Sequence, residues 1–412
     1  MTPVPLPLLL LLIAALGAVG YVLGSRRPIA MARRGEHFHS TPDYYGWYTV
    51  LLMFAPAAAA SLALLGLSAA GAAAAAPAWV HAVLWLGVPV VALGPVTLTI
   101  RPRLRARNLV EKVIYAVLLG ASSVSILTTL GIILSVLYEA TLFFREVPVW
   151  DFLFGTNWAP GQAFKEAAGR EAAGSAAFGA VPLFAGTLMI TLIALLVAVP
   201  VGVFSAVYMS EYAPLRARRA LKPMIEILAG IPTVVYGFFA AITVAPLIVD
   251  LASLVGVEAA GTNALAPGLI MGVMIIPFMS SLSDDVISAV PQSLRSGALS
   301  LGSTKAEAIK KVVLPAALPG IISAVLLSFS RAVGETMIVV MAAGKLANLT
   351  ANPLEPMTTV TVQIVDLLTG DIEFDSPFTR SAFALGLTLA VFTLILNVVA
   401  SIVIRRFRQQ YE

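Results

Sequence analysis

The sequence contains no cysteine and little charge. None of its 412 residues is a cysteine, which excludes a disulfide framework, a thiol nucleophile and a thiolate metal site. Only 12% of the residues are charged and 59% are hydrophobic, whereas about 25% of residues are charged in soluble domains. So little charge cannot cover a water-facing surface, which excludes a soluble enzyme, a nucleic-acid binder or a disordered scaffold as the main body. The composition predicts an integral membrane protein.

Other features are scarce or absent. The chain has three histidines, of which only His37 and His39 lie close together, and nothing nearby completes a metal site. No G-x-x-x-x-G-K-[ST] sequence occurs, so we expect no ATP-binding site in this chain. The net charge of +4 comes from short basic clusters between apolar stretches, and it therefore does not indicate a nucleic-acid partner.

Long apolar stretches are abundant. A spanning helix needs about 20 mostly apolar residues, and nine stretches satisfy this requirement. The first is followed, not preceded, by Arg26 and Arg27, which favours a retained span over a cleaved signal peptide. The predicted spans are 3–24, 45–67, 79–100, 113–138, 183–209, 224–249, 265–283, 316–342 and 381–404. The sequence therefore predicts an all-α polytopic membrane protein with about nine transmembrane helices.

The distribution of lysine and arginine predicts the orientation, because cytoplasmic loops hold the positive charge. With the amino terminus outside, far more basic residues fall in inner than in outer segments. The inner residues are Arg26, Arg27, Arg33, Arg34, Arg101, Arg103, Arg105, Arg107, Lys112, Arg216, Arg218, Arg219, Lys222, Arg295, Lys305, Lys310, Lys311, Arg405, Arg406 and Arg408. The outer residues are Arg145, Lys165, Arg170, Lys345 and Arg380. We expect a periplasmic amino terminus and a cytoplasmic carboxyl terminus.

A basic linker at Arg101–Lys112 divides the chain. We expect residues 1–108 to form an N-terminal extension with about three spans, and residues 109–412 to form a six-span domain. The second part holds the unusual polar residues and two long outer loops.

The most informative loop is the predicted cytoplasmic stretch 284–315. Leu294, Ala298 and Leu301 recur at three- and four-residue spacing, which predicts a short helix with one apolar stripe. Gly302 can adopt the left-handed conformation that ends such a helix and turns the chain. A second amphipathic helix follows. Such a helix pair either docks into a partner's groove or is an ordinary interfacial pair.

This loop resembles the cytoplasmic "EAA" loop of ABC-importer permeases, whose pattern is matched by Gly302, Val312, Leu314 and Pro315. The resemblance implies a coupling helix, including Ala298 and Leu301, that sits in a cleft of an ATP-binding subunit. In one departure, Ser-Gly-Ala stands at 296–298 where the family usually has Glu-Ala-Ala. The chain therefore lacks the acidic residue that could pair with the ATPase at that position.

Three further motifs are similar to those of phosphate-importer permeases of the PstC type. They are I-E-I-L-A-G-I-P-T-V-V-Y-G at 225–237, S-R-A-V-G-E-T-M at 330–337, and the outer pattern G-T-N-W at 155–158 followed by Phe178-Gly179 and Pro182. The resemblance covers roughly residues 110–410 and implies a type I permease core of six helices. It implies a multi-pass protein of the bacterial inner membrane that translocates inorganic phosphate and is not itself an enzyme.

The same resemblance implies the partners. They are a homologous PstA-type permease, two ATP-binding PstB-type subunits and a periplasmic PstS-type phosphate-binding protein. ATP and magnesium would bind on the ATPase subunits, so we expect no cofactor in this chain. The other interpretations are a permease for another oxyanion, such as sulfate or molybdate, and an ion-coupled secondary transporter. Internal repeats with paired broken helices, often found in the latter class, are not evident.

Arg331 is an unusual charge within a predicted span. It lies sixteen residues after Pro315, which corresponds to about 24 Å along a helix. A charge inside the membrane normally faces a polar cavity or a partner. Glu335 follows four residues later, which predicts that both side chains share a helix face. Because a guanidinium binds phosphate through parallel hydrogen bonds, the resemblance favours Arg331 and Glu335 as substrate-binding residues. The alternative is a buried pair that only fixes helix packing.

Pro232, with Gly230 two residues before it, is expected to weaken the hydrogen-bond ladder of its span. The freed backbone groups either line a pathway, together with Tyr236, or mark a packing device. Glu226 is interpreted as a charge at a helix N-terminus. Asp284-Asp285 is interpreted as the point where the chain leaves the membrane.

Overall fold

The computed structural model describes residues 6–33, 36–69, 71, 77–160, 178–369 and 376–408. Within these residues the regular structure is helical, apart from one isolated bridge between Trp158 and Phe178. The α-helices are α1 Leu6–Ala32, α2 Pro42–Ala69, α3 Ala78–Leu98, α4 Ala106–Glu146, α5 Val149–Phe154, α6 Val181–Val207, α7 Leu215–Gly230, α8 Thr233–Phe239, α9 Ala245–Leu254, α10 Leu265–Ala289, α11 Gln292–Ser300, α12 Lys305–Ala308, α13 Leu314–Val333, α14 Met337–Ala342, α15 Val360–Leu368 and α16 Pro377–Arg408. Three π-helical segments are π1 Tyr208–Tyr212, π2 Ala240–Val244 and π3 Ile309–Val313. Of the residues behind the predicted orientation, Arg34, Lys165 and Arg170 lie outside the described residues.

Nine helical stretches of the described residues are long and apolar enough to cross a membrane. They are Pro7–Ala32, Pro42–Ala69, Trp79–Leu98, Ala106–Glu146, Val181–Tyr212, Thr233–Leu254, Leu265–Ala289, Lys305–Val333 and Pro377–Val399. Each overlaps one predicted span, so the prediction of an all-α polytopic protein is confirmed.

The predicted span 224–249 is broken rather than merely weakened. α7 ends before Ile231, and the membrane-spanning stretch begins only at Thr233. Pro232 has no N–H and forces the preceding residue out of the α region, so Ile231 is extended with ψ of 128°. Glu226 consequently lies near the C-terminal end of α7, and its interpretation as a charge at a helix N-terminus is wrong.

The predicted span 316–342 is also interrupted. α13 ends at Val333 with Gly334 as its cap, and the short helix α14 begins only at Met337. A stretch predicted as one span is therefore a long helix, a non-helical link and a six-residue helix.

The chain divides into two compact units, Met1–Leu130 and Gly131–Glu412, and the division falls within α4. In the first unit, α1 approaches α2 so closely that a Cβ atom on Gly24 would collide with Thr49. Tyr45 is fully buried, and its hydroxyl donates a hydrogen bond of 2.8 Å to the carbonyl of Leu104. Close approach through small residues is typical of helices that pack within membranes.

In the second unit, α6 and α10 form a central pair. A Cβ on Gly202 of α6 would lie 2.7 Å from Met279 of α10, and one on Gly268 of α10 would lie 2.7 Å from Ile193 of α6. These glycines allow the backbones to approach, which increases dispersion contacts in an environment without a hydrophobic driving force. The buried residues around the pair include Ile190, Ala194, Met271, Ile275, Tyr236 and Ile338. The pair therefore packs against elements of both interrupted spans and leads into the stretch that follows α10.

The two halves of the G-T-N-W and F-G motif form one compact structure. Gly155 and Gly179 are in backbone contact, and a Cβ on Gly179 would collide with the carbonyl of Gly155. The N–H of Gly179 donates to the carbonyl of Asn157 at 2.8 Å. The rings of Trp158 and Phe178 meet edge to face with centroids 6.1 Å apart. Only glycine fits this crossing, which explains the glycines of the motif.

Candidate coupling segment and transport site

The stretch between α10 and α12, residues 290–304, is called the coupling segment below. It has the predicted form of a short helix followed by a turn into a second helix. Gly302 has a φ of +87°, as the sequence predicts, and its N–H donates to the carbonyl of Leu299 at 3.0 Å. Thr304 and Glu307 then form a capping box at the start of α12. Both ends of the turn are therefore fixed by hydrogen bonds.

The coupling segment begins six residues later than predicted, because α10 continues to Ala289. Asp284 and Asp285 lie in the last two turns of this helix instead of in a loop. The carboxylate of Asp284, only 1% exposed, accepts hydrogen bonds from Arg218 at 3.0 Å and from Lys222 at 3.3 Å. Sequence analysis missed this cluster, which joins α7 to α10.

The exposed apolar residues of the coupling segment differ from the predicted stripe in one position. Leu294 is exposed and Leu301 is 89% exposed, whereas Ala298 is the buried residue of α11. Leu299, which sequence analysis did not single out, is exposed as well. Leu294 and Leu301, seven residues apart, lie on one face, and this face has the apolar character of a helix that docks on a partner.

The other predicted coupling residues lie at the start of the next span. Val312 belongs to π3, and Leu314 and Pro315 begin α13. Pro315 lies just after π3 within one helical stretch, and the wide turn before it accommodates a residue that lacks an N–H. All three are half-buried, so they position α13 more than they present a surface.

The two short helices that follow the breaks pack on each other. α8 and α14 each begin directly after a break, and a Cβ on Gly237 of α8 would lie 3.0 Å from the carbonyl oxygen of Met337 of α14. The hydroxyl of Tyr236 spans the first break and donates to the carbonyl of Leu228 at 2.8 Å. The Cβ position of Gly230 has no neighbour within 4 Å, so close packing does not require a glycine there.

Arg331 lies in the last turn of α13, next to the second break. Its guanidinium carbon is 5.8 Å from the centroid of the Phe278 ring, a cation–π contact. The residue is exposed in the isolated chain. In the part of the chain that the structure describes, no carboxylate forms an ion pair with it.

The prediction that Arg331 and Glu335 share a helix face is wrong. The helix ends at Val333, so a spacing of four residues does not bring the side chains together. The carboxylate of Glu335 instead accepts the N–H of Met337 at 3.2 Å, a donor left free at the start of α14. The backbone carbonyl of Glu335 accepts a hydrogen bond from the hydroxyl of Thr361 at 3.1 Å. The alternative of a structural Arg331–Glu335 ion pair is contradicted by the same geometry.

An unpaired guanidinium at the end of a membrane helix can bind an anion. Next to it, the hydroxyl of Ser330 donates to the side-chain carbonyl of Asn397 on α16 at 3.0 Å, which adds polar groups. The described residues contain no group of three or more histidine or acidic side chains that could hold a metal ion. The site is suited to a small oxyanion.

The fold has a counterpart among solved membrane proteins. It is similar to a chain in the crystal structure of a bacterial ABC transporter involved in the import of the acidic polysaccharide alginate. The match covers 72% of this chain and 96% of that chain, with a TM-score of 0.50 and 16% identity. The likeness concerns the fold, which is that of a polytopic helical membrane chain.

The family follows from the sequence. Residues 198–410 match the family described as binding-protein-dependent transport system inner membrane component, and the chain belongs to this family. The matched region contains the coupling segment, both helix breaks and Arg331. The chain is therefore a multi-pass, non-catalytic subunit of an ABC transporter, whose ATP binds on a partner ATPase.

Two relatives illustrate the extent of the match. Phosphate transport system permease protein PstC 1 of Mycobacterium bovis is 36% identical over 275 residues, which is 62% of this chain and 81% of that protein. Probable ABC transporter permease protein YqgH of Bacillus subtilis is 34% identical over 241 residues, 58% of this chain and 73% of that protein. Residues 10–73 match a separate family described as phosphate ATP-binding cassette transporter. The first hundred residues, in which no motif indicates a function, thus contain a segment related to proteins of that description.

Proposed function

We propose that this chain is a permease subunit of an ATP-driven importer and translocates inorganic phosphate across the bacterial inner membrane. The observation that carries the proposal is Arg331, an exposed guanidinium without a carboxylate partner among the described residues, placed beside a helix break. The relatives named as phosphate permeases support the choice of phosphate over other oxyanions.

The chemistry of Arg331 suits a phosphate that must bind and then leave. A guanidinium can donate two parallel hydrogen bonds to one phosphate, which a compact ammonium cannot match. Since no ion pair has to be broken first, the charge is available to the substrate. The short helices α8 and α14, packed on each other at Gly237, give this region a unit that can shift between outward-open and inward-open states.

The subunits around the chain follow from this function. Phosphate would arrive from a PstS-type binding protein and pass between this chain and a homologous PstA-type permease. Two PstB-type subunits would bind and hydrolyse ATP and act on the coupling segment. The charge distribution supports a periplasmic amino terminus and a cytoplasmic carboxyl terminus.

Phosphate uptake by the reconstituted complex tests the proposal. The two permeases and the ATPase are placed in liposomes with ATP on the ATPase side, and the binding protein and radiolabelled phosphate are added on the other side. We expect uptake to require both ATP and the binding protein. Unlabelled phosphate should suppress the uptake of the label, whereas sulfate and molybdate should not. Transport of sulfate or molybdate instead would assign another oxyanion, and ATP-independent uptake driven by an ion gradient would contradict the importer.

Single cysteines test the orientation, because the chain contains none. In spheroplasts, whose inner membrane is intact and whose outer membrane has been removed, a membrane-impermeant maleimide is expected to label Ala69→Cys, at the end of α2. Asn108→Cys, at the start of α4, is expected to react only after permeabilisation. The opposite pattern would reverse the orientation.

A further inference from the structure

The side chain of Arg295 ties the coupling segment to two membrane helices. It lies on α11 and is only 14% exposed. Its Nε donates to a carboxylate oxygen of Glu211 at 2.9 Å, its Nη2 donates to the carbonyl of Ile287 at 2.7 Å, and its Nη1 donates to the carbonyl of Val290. Each of its three nitrogens therefore uses a different acceptor, and none of these acceptors belongs to α11.

The acceptors lie at the ends of α6 and α10. Glu211 belongs to π1, which continues α6. The carbonyl of Ile287 lies in the last turn of α10 and also accepts the N–H of Val290, and Val290 is the residue that caps this helix. A cation is favourable there because the C-terminus of a helix carries partial negative charge. One guanidinium thus joins the coupling segment to the central helix pair.

The packing contacts of α11 are with π3 and α12 rather than with α10. Ala298 is its one buried residue, and an alanine contributes little apolar burial. A cleft of about 520 Å³ opens beside Arg295, and its lining includes the polar side chains of Ser288 and Gln292. The attachment of α11 to the membrane helices is therefore mainly polar and directional.

We propose that Arg295 is a positioning residue that makes α11 move together with the adjoining ends of α6 and α10. A displacement that the ATPase imposes on the coupling segment would then reach the helices that support the transport site. This inference rests on the proposed function, because it assumes that an ATPase acts on the coupling segment. The rigid, planar guanidinium suits this role because it holds three acceptors at fixed angles, whereas the ammonium of lysine is a compact charge on a flexible stem.

The first experiment measures the phosphate imported per ATP hydrolysed by the complete reconstituted complex. Arg295→Gln is expected to lower this ratio about tenfold, the size of effect found for residues that couple two sites. The side chain borders an open cleft, so its shortening creates no closed void. Glu211 loses its ion pair but lines the same cleft, where water can reach it, so the complex should still assemble. Glu211→Gln is expected to have a smaller effect, because the bonds from Arg295 to the two carbonyls remain.

Two control variants test whether a change in the ratio of phosphate imported to ATP hydrolysed is specific to the hydrogen bonds of Arg295. Arg295→Lys retains the charge opposite Glu211 but cannot hold all three acceptors, so its ratio should lie between those of the wild type and Arg295→Gln. Arg219→Gln removes an exposed arginine of α7 that has no ion pair within the described residues, and its ratio should equal the wild-type value. If Arg295→Gln fails to assemble, Arg295→Lys decides: an intermediate ratio supports the proposal and a wild-type ratio overturns it.

The second experiment follows α11 itself and needs no substrate. A nitroxide label on Ser300→Cys, in a chain that otherwise lacks cysteine, reports the mobility of α11. Arg295→Gln is expected to increase this mobility and Arg219→Gln to leave it unchanged. An unchanged label, or equal loss of uptake and ATP hydrolysis in Arg295→Gln, would overturn the proposal. Because the label responds without phosphate, failure of this inference is distinguishable from failure of the proposed substrate.

Discussion

Two regions of the second unit differ in how their charged side chains are partnered. They are the region around the coupling segment, called the coupling end, and the region around Arg331, called the transport end. At the coupling end, Arg295 pairs with Glu211 and Arg218 pairs with the buried Asp284. At the transport end, Arg331 has a ring contact and no carboxylate partner among the described residues. Removing one member of a buried pair leaves an unsatisfied charge, so paired charges fix geometry, whereas an unpaired charge is free for a ligand. The first arrangement fixes geometry, and the second leaves a charge available for the proposed phosphate.

The backbone shows the same contrast. The turn of the coupling segment is closed by the hydrogen bond of Gly302 and by the capping box of Thr304. The break after α7 is spanned by a single side-chain bond, from Tyr236 to Leu228. The break after α7 is thus bridged by fewer side-chain bonds than the turn of the coupling segment, where Thr304 and Glu307 bond to each other's backbone N–H.

Removal of the unpaired charge is the strongest test of this contrast. Arg331→Gln is expected to lower phosphate uptake about 100-fold or more, since losing a charged hydrogen-bonding partner costs about 2–5 kcal/mol. No carboxylate is left unpaired, so assembly and thermal stability of the complex should not change. Arg331→Lys should restore uptake only in part. Uptake and size-exclusion profiles of the purified complex measure both effects.

Glu335→Gln is the matched control for Arg331→Gln, because the amide oxygen can still accept the N–H of Met337. Its uptake should therefore stay closer to the wild-type value. Loss of assembly in Arg331→Gln, with recovery when Glu335→Gln is added, would contradict the assignment of Arg331 as an anion site.

Removal of a paired charge should have the reverse signature. Asp284→Asn leaves Arg218 and Lys222 without their shared carboxylate and is expected to destabilise the chain by about 2–3 kcal/mol, less than a fully buried pair because both cations are partly exposed. Thermal unfolding should show this loss, while complexes that do assemble should retain substantial uptake. Asp285→Asn, whose side chain is 67% exposed, should unfold at nearly the wild-type temperature. Equal effects of the two variants would argue against the cluster at Asp284.

The turn of the coupling segment should tolerate change less than its helix does. Gly302→Val forces a branched side chain into a positive φ, which costs about 1–3 kcal/mol. Co-purification of the ATPase is expected to weaken while the chain still inserts. Gly297→Ala is the control, because its Cβ position has no neighbour within 4 Å, and alanine favours the helix. Wild-type uptake by Gly302→Val would exclude a coupling role for the turn.

The smallest effect is expected at the bridged break. Tyr236→Phe removes the hydrogen bond to the carbonyl of Leu228 and should lower the free energy of unfolding by about 1 kcal/mol. Uptake should change less than in any variant above. A complete loss of uptake would show that the hydroxyl has a direct role in the pathway.

The residues that were predicted well depend on local physics. The nine spans follow from the length of their apolar stretches, and the positive φ of Gly302 follows from the end of an amphipathic helix. The Arg331–Glu335 pairing failed because a spacing of four residues has meaning only within a continuous helix. Gly334, which lies between them, was the available sign that the helix ends.

Contacts between distant residues could not be predicted. Asp284 pairs with Arg218 on another helix, and Arg295 reaches back to Glu211, and neither spacing produces a local pattern. At Pro232 the sequence indicated a weakened helix. The complete break follows from the extended conformation that Pro232 imposes on Ile231, and it places the charged helix α7 and the apolar α8 in separate elements.

The wide turn of π3 affects which face of its helix meets the core. The buried residues Ile309, Val313, Ala317 and Ile321 are spaced by four throughout. In a straight α-helix each such step drifts by about 40° around the axis, because four residues exceed one turn of 3.6. The wide turn of π3, in which the N–H of Leu314 bonds to the carbonyl of Ile309, absorbs part of this drift. The extra residue thus works as a phase correction that keeps one stripe of the helix pointed inward from the coupling segment into the membrane.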